Sequence, residues 1–78
     1  MDIKVLGPGC NNCVRLEANT REALGALGRT ASIQKVTDVG EIVGYGVMST
    51  PGLVVDGTVM VSGRVPSVED IKLLLEAR

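Results

Sequence analysis

Late in the chain, Asp56-Gly57 stands between two β-favouring runs, Leu53-Val54-Val55 and Val59-Met60-Val61. Two residues that tolerate positive φ, placed between such runs, specify a tight two-residue hairpin and therefore an antiparallel strand pair. An earlier pattern specifies the opposite kind of connection. Ile3, Val5 and Leu6 form a short apolar run ended by Gly7-Pro8-Gly9, and Ser32 to Val36 reads as a second strand. Between them, from Cys13 onward, Leu16, Thr20, Ala23, Leu24 and Leu27 recur at steps of three and four, with Arg15, Glu17, Arg21 and Glu22 on other faces. Gly28 stands where a helix C-cap belongs. Two strands separated by roughly a dozen helical residues are most economically joined by a parallel, right-handed crossover.

The remaining elements fall into place around these two units. Asp38 and Glu41 have capping-box spacing, and Val39, Ile42 and Val43 supply one face of a short helix weakened by Gly40 and Gly44. Ser67 and Asp70 repeat the capping spacing before Val68, Ile71, Leu74 and Leu75, which predicts a final helix. The order is βαβαββα. It implies one α/β domain over residues 1–78, with a four-stranded mixed sheet of order 2-1-3-4, the third strand antiparallel, and helices on both faces.

Composition narrows the function. Of 78 residues 45% are hydrophobic, enough for one modest core. Eight Lys and Arg stand against nine Asp and Glu, so the charge balance offers no attraction to a phosphate backbone and nucleic-acid binding is not expected. The absence of His, Trp and Phe excludes Ser/His/Asp and Cys/His catalysis and leaves no aromatic platform for bases beyond Tyr45. No basic stretch followed by a long apolar run is seen, so neither a leader nor a membrane span is expected, and a cytoplasmic location is.

The two cysteines form Cys10-Asn11-Asn12-Cys13, between the first strand and the first helix. This spacing at a helix N-terminus lets the sulfurs reach bonding distance, while the free amides and the helix dipole stabilise a thiolate. The more exposed Cys10 is the expected nucleophile and Cys13, one turn inward, the resolving thiol. Asn11 and Asn12 add no charge but can donate to sulfur or cap the helix. Two bland readings compete with this one. A permanent staple across so short a loop would constrain the unfolded chain little. A soft ion such as Cu(I), delivered or sensed by the same two thiolates, is the sharper alternative, whereas zinc would lack ligands within one chain. Gly7-Pro8-Gly9 lacks the spacing of a dinucleotide fingerprint, and no bound cofactor is expected. Thr50-Pro51, as a bare dipeptide, marks only a loop, and X-Pro bonds are mostly trans.

Taken together, Gly7-x-Gly9-Cys10-x-x-Cys13, the order of elements, Ser49-Thr50-Pro51 and the Asp56-Gly57 hairpin resemble the thioredoxin fold family across essentially the whole chain. The stretches from Ile3 to Gly7, Tyr45 to Pro51 and Gly63 to Ser67 are similar to its small, glutaredoxin-sized prokaryotic redox-active disulfide proteins. The resemblance implies a protein-disulfide oxidoreductase using Cys10 and Cys13. It also implies a cis-proline loop at Thr50-Pro51 that faces the disulfide and pairs with an extended substrate. Thr50, Pro51, Gly9, Asn11 and Asn12 are then the expected substrate contacts. Implied partners are a disulfide-containing protein and an electron-donating thiol or flavin reductase, with the chain acting as a monomer. Gly9 stands where better-known thioredoxins carry Trp, Asn11-Asn12 replaces Gly-Pro, and only Gly63 stands where glutaredoxins carry Gly-Gly.

Overall fold

Alternation along the first strand decides which side of the sheet each helix covers. A computed structural model describes residues 1–77. In β1 (Asp2–Leu6), Ile3 and Val5 face one side and Leu6 the other, as the two-residue period of a strand requires. The first side is covered by α1 (Asn11–Leu27), through Leu16, Ala23 and Leu24, and by α3 (Val68–Glu76), through Ile71 and Leu75. The second side is covered by the short α2 (Val39–Gly44), whose Ile42 packs with Leu6, Val36, Val47 and Val54. Each large side chain so buried contributes about 1.5 to 3 kcal/mol.

β2 (Ser32–Val36) runs parallel to β1, from Asp2 opposite Ser32 to Leu6 opposite Val36. β3 (Gly52–Val55) is antiparallel to β1, and β4 (Thr58–Ser62) antiparallel to β3, giving the order β2-β1-β3-β4. This is the mixed sheet, with helices on both faces, that the sequence implies. The β3–β4 turn has φ of 50° at Asp56 and 83° at Gly57, the positive pair of a primed hairpin turn. Asp56 also ties the turn to the first strand: its N–H donates to the Asp2 carbonyl at 2.7 Å, and its Oδ1 accepts from the Asp2 N–H at 2.8 Å.

One irregularity lies beyond the sequence pattern. Val54 pairs with Val59 but Leu53 pairs with Val61, so Met60 is an extra residue in β4. The bulge turns Val59 toward the α2 side and Val61 toward the α1 side, although strict alternation would put both on one face.

Two side chains, one in α1 and one just past its C-cap, fasten this part of the chain to the C-terminal region. Asn19 Nδ2 donates to the Pro66 carbonyl at 3.1 Å, just before α3, and Arg29 Nη1 donates to the Leu75 carbonyl at 2.7 Å, near its end. Ser67 caps α3 by accepting from the Asp70 N–H at 3.1 Å. Asp38 caps α2 through Gly40 N, at 2.9 Å, rather than through Glu41 as the capping-box spacing suggests.

Candidate active site

β1 delivers the chain to the site in three steps. The Gly7 N–H donates to the Val36 carbonyl at 2.9 Å, which carries the β1–β2 ladder one residue past the strand. Pro8 and Gly9 then turn the chain outward, and Cys10 enters extended backbone, φ −69° and ψ 166°, as the N-cap of α1. The cap is the sulfur itself: Cys10 Sγ accepts from the Cys13 N–H at 3.3 Å, and the Cys10 carbonyl accepts from Val14 N–H at 3.1 Å. Asn11 and Asn12, expected as possible caps or sulfur donors, occupy the exposed first turn. The helix thus begins two residues before its apolar period does.

Cys10 and Cys13 are joined as a disulfide, with Cα atoms 5.1 Å apart. Cys10 is exposed whereas Cys13 is 6% exposed, so the two sulfurs differ sharply in access. The first turn of α1 contains no carboxylate to oppose a thiolate at this dipole end.

The Thr50–Pro51 bond is cis, and Pro51 is buried at the start of β3. Its carbonyl accepts from the Gly63 N–H at 2.8 Å, which pins the loop to the end of β4. Gly7 lies between this loop and the redox pair: a Cβ placed there would sit 3.2 Å from Cys13 Cβ and 3.9 Å from Thr50 Cβ. The structure therefore brings Cys10, Cys13 and Thr50 together around the end of β1. Of the neighbouring apolar pair, Val47 is buried in the core beneath α2, while Met48 is 89% exposed.

Beside Cys13 is a small cavity of about 30 Å³, whose walls include Gly7, Gly9, Cys13, Glu17, Lys35 and Thr37. That is room enough for water. The sequence pattern sets Glu17 on a face of α1 other than the apolar one. Its side chain is nevertheless only 15% exposed, and it is clamped by Lys35 Nζ and Arg21 Nη2, both at 3.0 Å. The hydrogen bond from Lys35, above all, holds the Glu17 carboxyl below its ordinary range, against an opposing effect of burial. The signal was available: Glu17 is one helical turn beyond Cys13, and Lys35 alternates with Val36 and so faces α1. On the opposite sheet face Lys4 pairs with Asp2 at 3.2 Å, which raises its pKa, with Tyr45 adding to the effect.

The thioredoxin domain family matches residues 1–76. The chain belongs to the thioredoxin family. It is 44% identical over 75 residues to a thioredoxin of Methanothermobacter thermautotrophicus, covering 96% of this chain and 97% of that protein. It is also 43% identical over 70 residues to a thioredoxin of Methanocaldococcus jannaschii, covering 90% of this chain and 80% of that one. As a thioredoxin-family protein the chain is a thiol-disulfide oxidoreductase. Among its described residues no helix is long and apolar enough to cross a membrane.

Proposed function

We propose that this thioredoxin-family protein reduces or exchanges disulfides of protein substrates, with Cys10 as nucleophile and Cys13 as resolving thiol. The observation that carries this reading is the asymmetric burial of the pair at the N-terminus of α1, Cys10 exposed and Cys13 nearly covered. Cys10 thiolate, favoured by the dipole and by the Cys13 N–H, attacks one sulfur of a substrate disulfide. That bond breaks, a Cys10–substrate disulfide forms, and the first substrate thiolate leaves and takes a proton from water. Cys13 then gives its proton to water, attacks Cys10 Sγ and closes the intramolecular disulfide, and the second substrate thiolate leaves and is likewise protonated by water. The substrate gains two electrons and two protons, and the protein loses them.

Substrate orientation in this reading comes from the Thr50–Pro51 loop, whose backbone pairs with an extended peptide, with Gly9, Asn11 and Asn12 along the same rim. A thiol or flavin reductase returns the dithiol state, no resident cofactor takes part, and a monomeric domain acting in the cytoplasm suffices. The test is to mix Cys13→Ser and, separately, Cys10→Ser with a disulfide-bonded protein substrate. Cys13→Ser is expected to trap a mixed disulfide on Cys10, and Cys10→Ser to lose turnover. Full activity of Cys10→Ser would overturn the assignment, and stoichiometric Cu(I) retained by the reduced protein against a competing chelator would favour metal delivery instead.

A further inference from the structure

Gly7 is buried, and its backbone does not need glycine. Its φ is not among the positive values in the chain, and its N–H makes an ordinary strand-like hydrogen bond to the Val36 carbonyl at 2.9 Å. The left-handed backbone that favours glycine is therefore not what places it here. The obstacle to a side chain is the site: a Cβ on Gly7 would overlap Cys13 Sγ, with Cys13 Cβ at 3.2 Å and Thr50 Cβ at 3.9 Å. Neither obstacle is the free end of a long side chain. Cys13 is held by the first turn of α1 and by its bond to Cys10, and Thr50 by the Pro51–Gly63 hydrogen bond beside it.

We propose that Gly7 is a positioning residue for the resolving half of the redox couple: by carrying no side chain it lets Cys13 Sγ seat against the end of β1, where it can reach Cys10. This rests on the assignment of Cys13 as resolving thiol. A methyl at position 7 pushes Cys13 Sγ out of its seat. The first attack, by exposed Cys10, does not pass through that seat. The second step does, because the Cys13 thiolate must approach Cys10 Sγ along the Cys10–substrate bond as that bond breaks. The closed disulfide also requires the seat, whereas the dithiol lets Cys13 turn aside, so Gly7→Ala favours the dithiol.

Gly7→Ala is to be compared with the unaltered protein in two measurements. In a single-turnover reaction with a disulfide-bonded substrate, quenched by acid and resolved by mass, formation of the mixed disulfide is expected to stay within about twofold, while its resolution slows about tenfold or more. In thiol-disulfide buffers the dithiol/disulfide equilibrium is expected to shift about tenfold toward dithiol, a rise of about 30 mV in potential. Unchanged resolution and unchanged potential overturn the proposal. If the unaltered protein itself forms no mixed disulfide at Cys10, the oxidoreductase assignment fails, whatever Gly7→Ala does.

Should Gly7→Ala fold poorly, the same steric claim is read from the stability of the oxidised protein, in which Cys13 Sγ occupies the seat. Most of the loss of melting temperature caused by Gly7→Ala is expected to disappear in a Cys13→Ala background, where the sulfur is gone. An equal loss in both backgrounds overturns the proposal.

Discussion

Glu17 Oε1 lies 3.0 Å from Lys35 Nζ, joining α1 to β2 at the wall of the cavity beside Cys13. Because Lys35 holds the Glu17 carboxyl below its ordinary range, folding favours the ionised form. The contribution to stability is fully present above the unfolded pKa, near 4.3, and is lost as pH falls through the lower folded value. Glu17→Gln is therefore expected to lower stability near pH 7 by about 0.5 to 1 kcal/mol, modest because Lys35 and Arg21 remain largely solvated. Melting curves of the two proteins from pH 7 to pH 3 check this: the gap narrows on acidification, and a constant gap would show that the ion pairs contribute nothing.

Thr20 is fully buried on α1, and its hydroxyl donates to the Leu16 carbonyl at 2.7 Å. Such back-bonding satisfies the hydroxyl without fastening the helix to anything else. Thr20→Val removes the polar group at nearly constant shape, and stability is expected to change by less than about 1 kcal/mol, as a neutral or slightly stabilising replacement. Chemical denaturation measures it, and a loss above about 2 kcal/mol would mean that the hydroxyl serves another buried group.

Gly57 has φ of 83° in the hairpin turn, far from the redox pair in sequence. Gly57→Ala is expected to cost about 1 to 2 kcal/mol, the penalty of a Cβ in left-handed backbone. In a domain of this size that lowers the melting temperature by roughly 4 to 8 °C per kcal/mol. Disulfide-reductase activity below the melting range is expected to be unchanged, since the altered turn lies outside the site.

The order of elements was legible because each boundary is local chemistry: the Asp56-Gly57 turn, the Gly28 cap and the Ser67 cap each act within a few residues. The Cys10–Cys13 pair was legible for the same reason. Less was visible where tertiary packing decides. The bulge at Met60 arises because the sheet needs Val61 on the α1 side, a demand that alternation along β4 alone does not reveal. Glu17 read only as a residue off the apolar face of α1, because its partner Lys35 is 18 positions away and meets it only across the β2–α1 junction. Gly7 read as a simple strand terminator, since the sulfur that excludes a side chain there belongs to the next element.

The most direct measurement is redox equilibration of the purified protein in thiol-disulfide buffers of graded potential, with free thiols trapped by alkylation and counted by mass. A single reversible two-electron transition is expected, in which Cys10 and Cys13 become protected together and neither alone. Failure to close the intramolecular disulfide at any potential, or protection of one cysteine without the other, would contradict a Cys10–Cys13 dithiol/disulfide couple.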